Sequence, residues 1–418
     1  MQFASYGYIA HNQLVVKAGG NLKEILLRFI VLLCGVLASA GVCNATQLNV
    51  WHMVKEMDAD LAHTAAAFSR ANPDINVVVH ALPNEELKAS AIRAADQQMA
   101  PDIIIISSDN VGYAGLMRLS ELPPEWVGDT LPDAVQQALQ FNQKNYSLPL
   151  FSGNHLLMLY NKALVNTPAT DWQQLVVQQQ EFNQQGIQTL ALNYQEPYWF
   201  ALFASLFGAD LVTNNQVSLG SAEMAKALQF YQQLAEQNIT QKQCGYACVA
   251  DDFYQRKYAY AINGTWALAE AKRHLGDDLG IMPFPTLQQH KMQPLASYIV
   301  MVFPNQALSS AKAAQIKQFV HFIRQAENLQ PLAKKYYLTP YYHTPTPEPW
   351  LTEPFHLQVQ AQNRLSTLMP ASTAMVSVWN GMQKGMLLHQ KNTLDATAAA
   401  SFMQKVALRD QQLLEAGQ

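Results

Sequence analysis

From Leu48 onward, short apolar runs alternate with stretches whose apolar residues recur at helical spacing. Leu48 to Trp51 predicts a strand, and Asp58 to Asn72 predicts a helix with Leu61, Ala65 and Phe68 on one face. The Asn72-Pro73-Asp74 turn should stop that helix. Ile75 and Val77 to Val79 predict a second strand, Glu85 to Gln98 a second helix, and Ile103 to Ile106 a third, wholly apolar strand. This β-α-β-α-β order predicts a parallel sheet with helices on its faces. Ligands of such sheets sit beyond the carboxyl ends of the strands, which is where Ser107, Ser108 and Asp109 fall.

A second unit has the same alternation. Strands are expected at Leu156 to Tyr160, Gln188 to Leu192, Tyr258 to Ile262 and Ile299 to Phe303. Helices are expected at Asp171 to Phe182, Tyr198 to Phe207, Ala222 to Gln237, Thr265 to His274 and, as one long helix, Gln306 to Gln325. A proline-dense connector, Pro340 to Pro354, precedes a final helical region. The expected fold class is therefore α/β, and 418 residues are too many for one ordinary core.

Ahead of the first strand the pattern changes. Lys17, Lys23 and Arg28 precede an apolar run from Phe29 to Val42, followed by small and polar residues up to Ala45. Positive flank, short apolar stretch and small-residue site are the order of a secretory signal, so residues 1–45 are expected to be a leader removed on export. The alternative, a membrane anchor, needs roughly 20 apolar residues. Cys43 offers a second alternative, lipid attachment, although Val42 rather than a small residue precedes it. Removal of residues 1–45 takes away Lys17, Lys23, Arg28 and Glu24, so the net charge passes from −4 to −6. With no lysine- or arginine-rich block, nucleic acid is not an expected partner. Cys244 and Cys248 are the cysteines left beyond the leader, and in an oxidising compartment they can close a small disulfide loop.

No phosphate loop, nucleophile elbow or His-Glu-x-x-His helix occurs, and the histidines have no clear metal spacing. No metal, cofactor or catalytic residue is therefore expected. Asp251-Asp252 and Asp277-Asp278 are expected at a helix start and a helix-end loop rather than as an acid/base couple. Four stretches instead concentrate aromatic and hydrogen-bonding residues near the ends of expected elements: Pro101 to Asp109, Asn193 to Trp199, Ala261 to Leu268, and Met369 to Trp379. Sugars present flat C–H faces and rims of hydroxyls, which call for aromatic platforms beside carboxylates and amides. Asp109 is suited either to that task or to capping the next helix.

The order of these stretches resembles the extracellular solute-binding proteins of ABC importers, in the maltose-binding group. The likeness rests on Leu48 to Trp51, Ala71 to Val77, Pro101 to Ile104, Tyr160-Asn161-Lys162, Gln195 to Tyr198, Ile262 to Ala267, and Met369-Pro370 with Trp379. It implies a two-lobed periplasmic-binding-protein fold of type II with several crossing segments. Lobe one would take 46–152 plus 298–340, and lobe two 153–297 plus 341–418. It also implies that Asp109, Glu196, Tyr198, Trp266 and Trp379 contact a sugar. Some positions depart from the group: Lys55-Glu56 stands in swapped order, and Ile106 replaces a tryptophan. Asn154 replaces an acid, and Gln383 stands near the place of an arginine.

Leu148 to Asn154 and Tyr336 to Pro340 also resemble the glycerol-3-phosphate-binding branch, which would turn Asp109, Asn154, Thr265 and Tyr337 toward the ligand. That branch's C-terminal arginine is missing, because none occurs from Ser366 to Leu408. The resemblance implies an exported, periplasmic, monomeric protein that delivers a sugar or polyol to ABC permease subunits in the inner membrane. Glycerol 3-phosphate or a glycerophosphodiester is the alternative ligand. An exported carbohydrate-active enzyme and a receptor that presents its ligand to a sensor kinase are the alternative roles.

Overall fold

The computed structural model of the protein describes residues 45–127, 131–342, 346 and 348–416. The expected leader, with Cys43, lies outside the described residues apart from Ala45. Among the described residues no helix is long and apolar enough to cross a membrane.

A ten-stranded sheet organises the chain. Its strands are β1 (Thr46–His52), β2 (Ile75–Ala81), β3 (Ile103–Ser107), β4 (Ser147–Asn161), β5 (Gln188–Ala191), β6 (Tyr258–Gly264), β7 (Leu279–Met282), β8 (Leu295–Val302), β9 (Thr339–Pro340) and β10 (Thr367–Leu368). The main path runs β2-β1-β3-β8-β4-β6-β5, with β7 and β9 on β4 and β10 on β8. As the pattern predicted, β1 pairs in parallel with both β2 and β3. Strand β8 then runs antiparallel to β3 and β4.

The 15-residue β4 passes from one core to another. Leu148, Leu150 and Phe151 pack with Leu48, Ile105, Ile299 and Phe319. Leu156 to Leu159 pack instead with residues such as Phe200, Tyr231, Tyr260 and Met382. Between them Gly153 takes a φ of 106°, a left-handed conformation that a side chain would strain. The register with β8 shifts at this place, between Ser297 and Tyr298. Asn154 Nδ2 donates to Ser297 Oγ at 2.7 Å and ties the two passing strands together. Each fully buried Leu or Phe in these cores contributes about 1.5–3 kcal/mol.

Helix α1 (Asp58–Ala71) buries Leu61, Ala65 and Phe68, and Asn72 ends it by donating from Nδ2 to the Phe68 carbonyl at 2.9 Å. Helix α2 (Asn84–Asp96) buries Leu87, Ala91 and Ala95. In the second half, α3 (Trp172–Gln184) is capped by Asp171 and α5 (Ala222–Glu236) by Ser221, on either side of the apolar α4 (Pro197–Leu206). The expected helix from Thr265 opens as a tight turn, Thr265–Ala267, before α6 (Leu268–Leu275). The long helix expected from Gln306 to Gln325 is two pieces, a turn at Ala307–Ser309 and α7 (Ala313–Ile323). Ser310 separates them: its Oγ donates to the Ala307 carbonyl and accepts from Lys312 N, so a side chain competes with the helical ladder. Beyond α8 (Ala326–Lys335), the C-terminal region forms α9 (Pro354–Arg364), α10 (Thr373–Gln390, capped by Ser372) and α11 (Ala396–Ala416).

Candidate functional site

A cleft of about 1000 Å³ opens between the two cores. One wall is aromatic. Pro197 at the first position of α4 fixes the entry of that helix, so that Tyr198 and Trp199 stand in its first turn. The Tyr198 hydroxyl donates to the Leu295 carbonyl at 2.8 Å, and Trp199 Nε1 donates to the Ile262 carbonyl at 2.7 Å. Trp266 lies in the turn after β6, with its six-membered ring over Gly264, where a Cβ would sit 2.1 Å from the indole. Only glycine leaves the ring that seat. Trp379 projects from α10, and the helical period puts Val376, Asn380 and Gln383 beside it along the cleft. The rings touch one another: Tyr198 lies 6.3 Å from Trp266 and 6.1 Å from Trp379, and Trp199 lies 6.0 Å from Trp266, all between centroids.

The facing wall carries charge. Asp109 follows β3 in a six-residue 3-10 helix, Ser108–Tyr113, and is 4% exposed. Its carboxylate accepts from the Ser107 hydroxyl and, at 3.4 Å, from Trp379 Nε1 across the cleft. Burial pushes the Asp109 carboxyl above the usual carboxylate range; the Ser107 hydroxyl, the Lys88 ammonium and the Trp379 indole pull it back. Burial also raises the Tyr198 phenol, and the Asp109 charge adds to that rise. Gly112 lets the start of α10 come close to this turn, because a Cβ there would lie 2.3 Å from the Ser372 carbonyl oxygen.

Asp109, Asn154, Glu196, Tyr198, Trp266 and Trp379 all line the cleft, so residues from all four aromatic stretches meet there. Thr265 and Tyr337, expected to face the ligand on the glycerol-3-phosphate reading, are not among the residues that line it. Thr265 precedes Trp266 in a tight turn that gives the cleft to the indole and buries the threonine to 1% exposure. Tyr337 takes a left-handed backbone after α8 and packs its ring on Phe355 of α9, at 4.8 Å. Asp251-Asp252 lies in a helical turn and Asp277-Asp278 just after α6, both outside the cleft lining. Asp252 pairs with Lys257 and Asp278 with Arg256. A disulfide joins Cys244 to Cys248, with the Cα atoms 5.3 Å apart. Among the described residues no group of three or more histidines, cysteines or acids could hold a metal ion.

Sequence reading missed Lys88, Tyr246 and Asp410, which also line the cleft. Lys88 had a signal: it is 7% exposed and falls at helical spacing with Ala91 and Ala95 on the buried side of α2. Asp410 had none, since only the packing of α11 on α10 brings it to Asn380, which donates to it.

The arrangement offers ring faces, carboxylates and amides in one cleft. The family described as bacterial extracellular solute-binding protein matches residues 63–357, and the chain belongs to that family. Its fold is the two-lobed one of the maltose/maltodextrin-binding domain MalE from Bdellovibrio bacteriovorus, solved bound to maltotriose. The likeness has a TM-score of 0.79 at 24% identity and covers 88% of this chain and 100% of that one.

Proposed function

We propose that the protein captures a carbohydrate in this cleft outside the cytoplasm and delivers it unchanged to an ABC permease. Lobe one comprises 46–152 plus 298–340 and lobe two 153–297 plus 341–418, with the crossings at β4, β8 and the Pro340 region. The observation that carries the reading is the meeting of Tyr198, Trp266 and Trp379 with Asp109, Asn154 and Glu196 around one cavity. Indole and phenol faces suit the C–H faces of a pyranose, and carboxylates and amides suit its hydroxyls. The maltotriose in the related structure supports the same ligand class.

Charge argues against glycerol 3-phosphate. Glu56, Asp109, Glu196 and Asp410 line the cleft against Lys55 and Lys88, and among the described residues no arginine lines it. A phosphate dianion needs the reverse balance. A thermal-shift screen of neutral mono- and oligosaccharides, polyols and sn-glycerol 3-phosphate tests this. A neutral sugar should raise the melting temperature and be recovered intact. A rise with glycerol 3-phosphate alone, or cleavage of the sugar, would overturn the proposal.

A further inference from the structure

The disulfide closes a five-residue loop, Cys244-Gly245-Tyr246-Ala247-Cys248, that stands at the rim of the aromatic wall. Both ends of the loop are pinned. Cys244 accepts from Leu192 N through its sulfur at 3.3 Å and from Tyr194 N through its carbonyl at 3.0 Å. Just beyond Cys248, the Val249 carbonyl accepts from Asn263 Nδ2 at 3.1 Å. The loop is therefore fixed to the two segments that lead into Tyr198 and Trp266. Tyr246 stands between those ends, 40% exposed, with its hydroxyl 2.8 Å from Glu56 Oε1.

Glu56 belongs to the opposite wall. It lies in the turn Lys55–Met57 that leads into α1, and its backbone carbonyl accepts from the Tyr336 hydroxyl at 2.6 Å. Burial, and after it the charge of Glu56, raise the Tyr246 phenol, so it stays a donor to that carboxylate. Phenylalanine keeps the ring and loses this hydrogen bond.

We propose that Tyr246 is a positioning residue of the cleft, whose hydroxyl clasps the disulfide loop to Glu56 of the opposite wall. The effect on affinity rests on the proposed function; the clasp itself does not. A contact that bridges the two walls favours the state in which they meet, by as much as a more open state lacks it.

Small-angle scattering on the ligand-free, disulfide-intact protein tests the clasp without knowledge of the ligand. Tyr246→Phe, Glu56→Ala and the double variant should each show the same increase in radius of gyration, because all three remove one shared contact. Melting temperatures should stay close to that of the wild type, which separates a lost clasp from damaged packing. In the same variants the affinity for the sugar found by the thermal-shift screen should fall three- to tenfold, without additivity. An unchanged radius in Tyr246→Phe, or shifts that add in the double variant, would overturn the clasp. A wild type that no sugar stabilises would overturn the proposed function and leave the scattering comparison in force.

Discussion

The two walls of the cleft are built from different chemistry. The wall on the β1–β3 core contributes both lysines and one ring, Tyr113. The wall on the β5–β6 core contributes five rings: Tyr198, Trp199, Tyr246, Trp266 and Trp379. Ring stacking loses little when a hydroxyl moves along a sugar, whereas a buried carboxylate or ammonium is costly unless a matching group meets it. Under the proposed function, then, the ring wall is expected to supply affinity for the ligand class and the charged wall to discriminate within it. The rings also hold one another in place, while Asp109 accepts a hydrogen bond from the ring wall through Trp379.

The largest effect should come from the ring wall. Trp266→Ala should weaken sugar binding by about 2–4 kcal/mol, roughly 30- to 1000-fold by calorimetry, and Trp379→Ala by a similar amount. An unchanged dissociation constant in both would break the division of labour between the walls.

Next comes the strand that joins the halves. Burial pushes His155 on β4 down to about 4, against the pull of the Gly153 and Val359 backbone, so its folded form holds the neutral ring. The unfolded chain binds the proton more readily, so stability is full above the ordinary histidine pKa of about 6.5 and falls as pH drops toward 4. Up to about 3 kcal/mol should be lost across that window. Urea midpoints at pH 7, 5 and 4 measure it, and a flat profile would rule the effect out.

On the charged wall, Asp109→Asn should cost about 1.5 kcal/mol of binding, roughly tenfold. Because the Asp109 pKa is raised, wild-type affinity should begin to fall at a higher pH than for an ordinary carboxylate. The asparagine variant should stay flat there, and parallel titrations of the two proteins compare them directly. Smallest of all, Lys257→Ala removes a surface ion pair with Asp252 outside the cleft, and should change stability by no more than about 0.5 kcal/mol and binding not at all. A loss of affinity in this variant would mean that charge acts from beyond the walls.

Most elements were legible because their patterns are local. The apolar run Ile103–Ile106, the helical stripe of Leu61, Ala65 and Phe68, and the Asn72-Pro73 stop each need only neighbours along the chain. Where a side chain competed with the backbone, as Ser310 does, periodicity ran on past the real boundary. The candidate site was readable as four stretches with suitable residues, and their meeting in one cleft could be expected only from the order in which they resemble a family.

Thr265 and Trp266 show the limit of that reading, since two adjacent residues with similar prospects part company in one tight turn. By itself the sequence determined which segments are strands and helices and which residue types are available for a ligand, since periodicity and turn chemistry act over a few residues. Tertiary structure alone decided that Tyr246 and Asp410 share the cleft, that Tyr337 turns away from it, and that Glu56 meets a ring 190 positions further along the chain. Such contacts depend on how separate cores are placed side by side, and no local pattern encodes that placement.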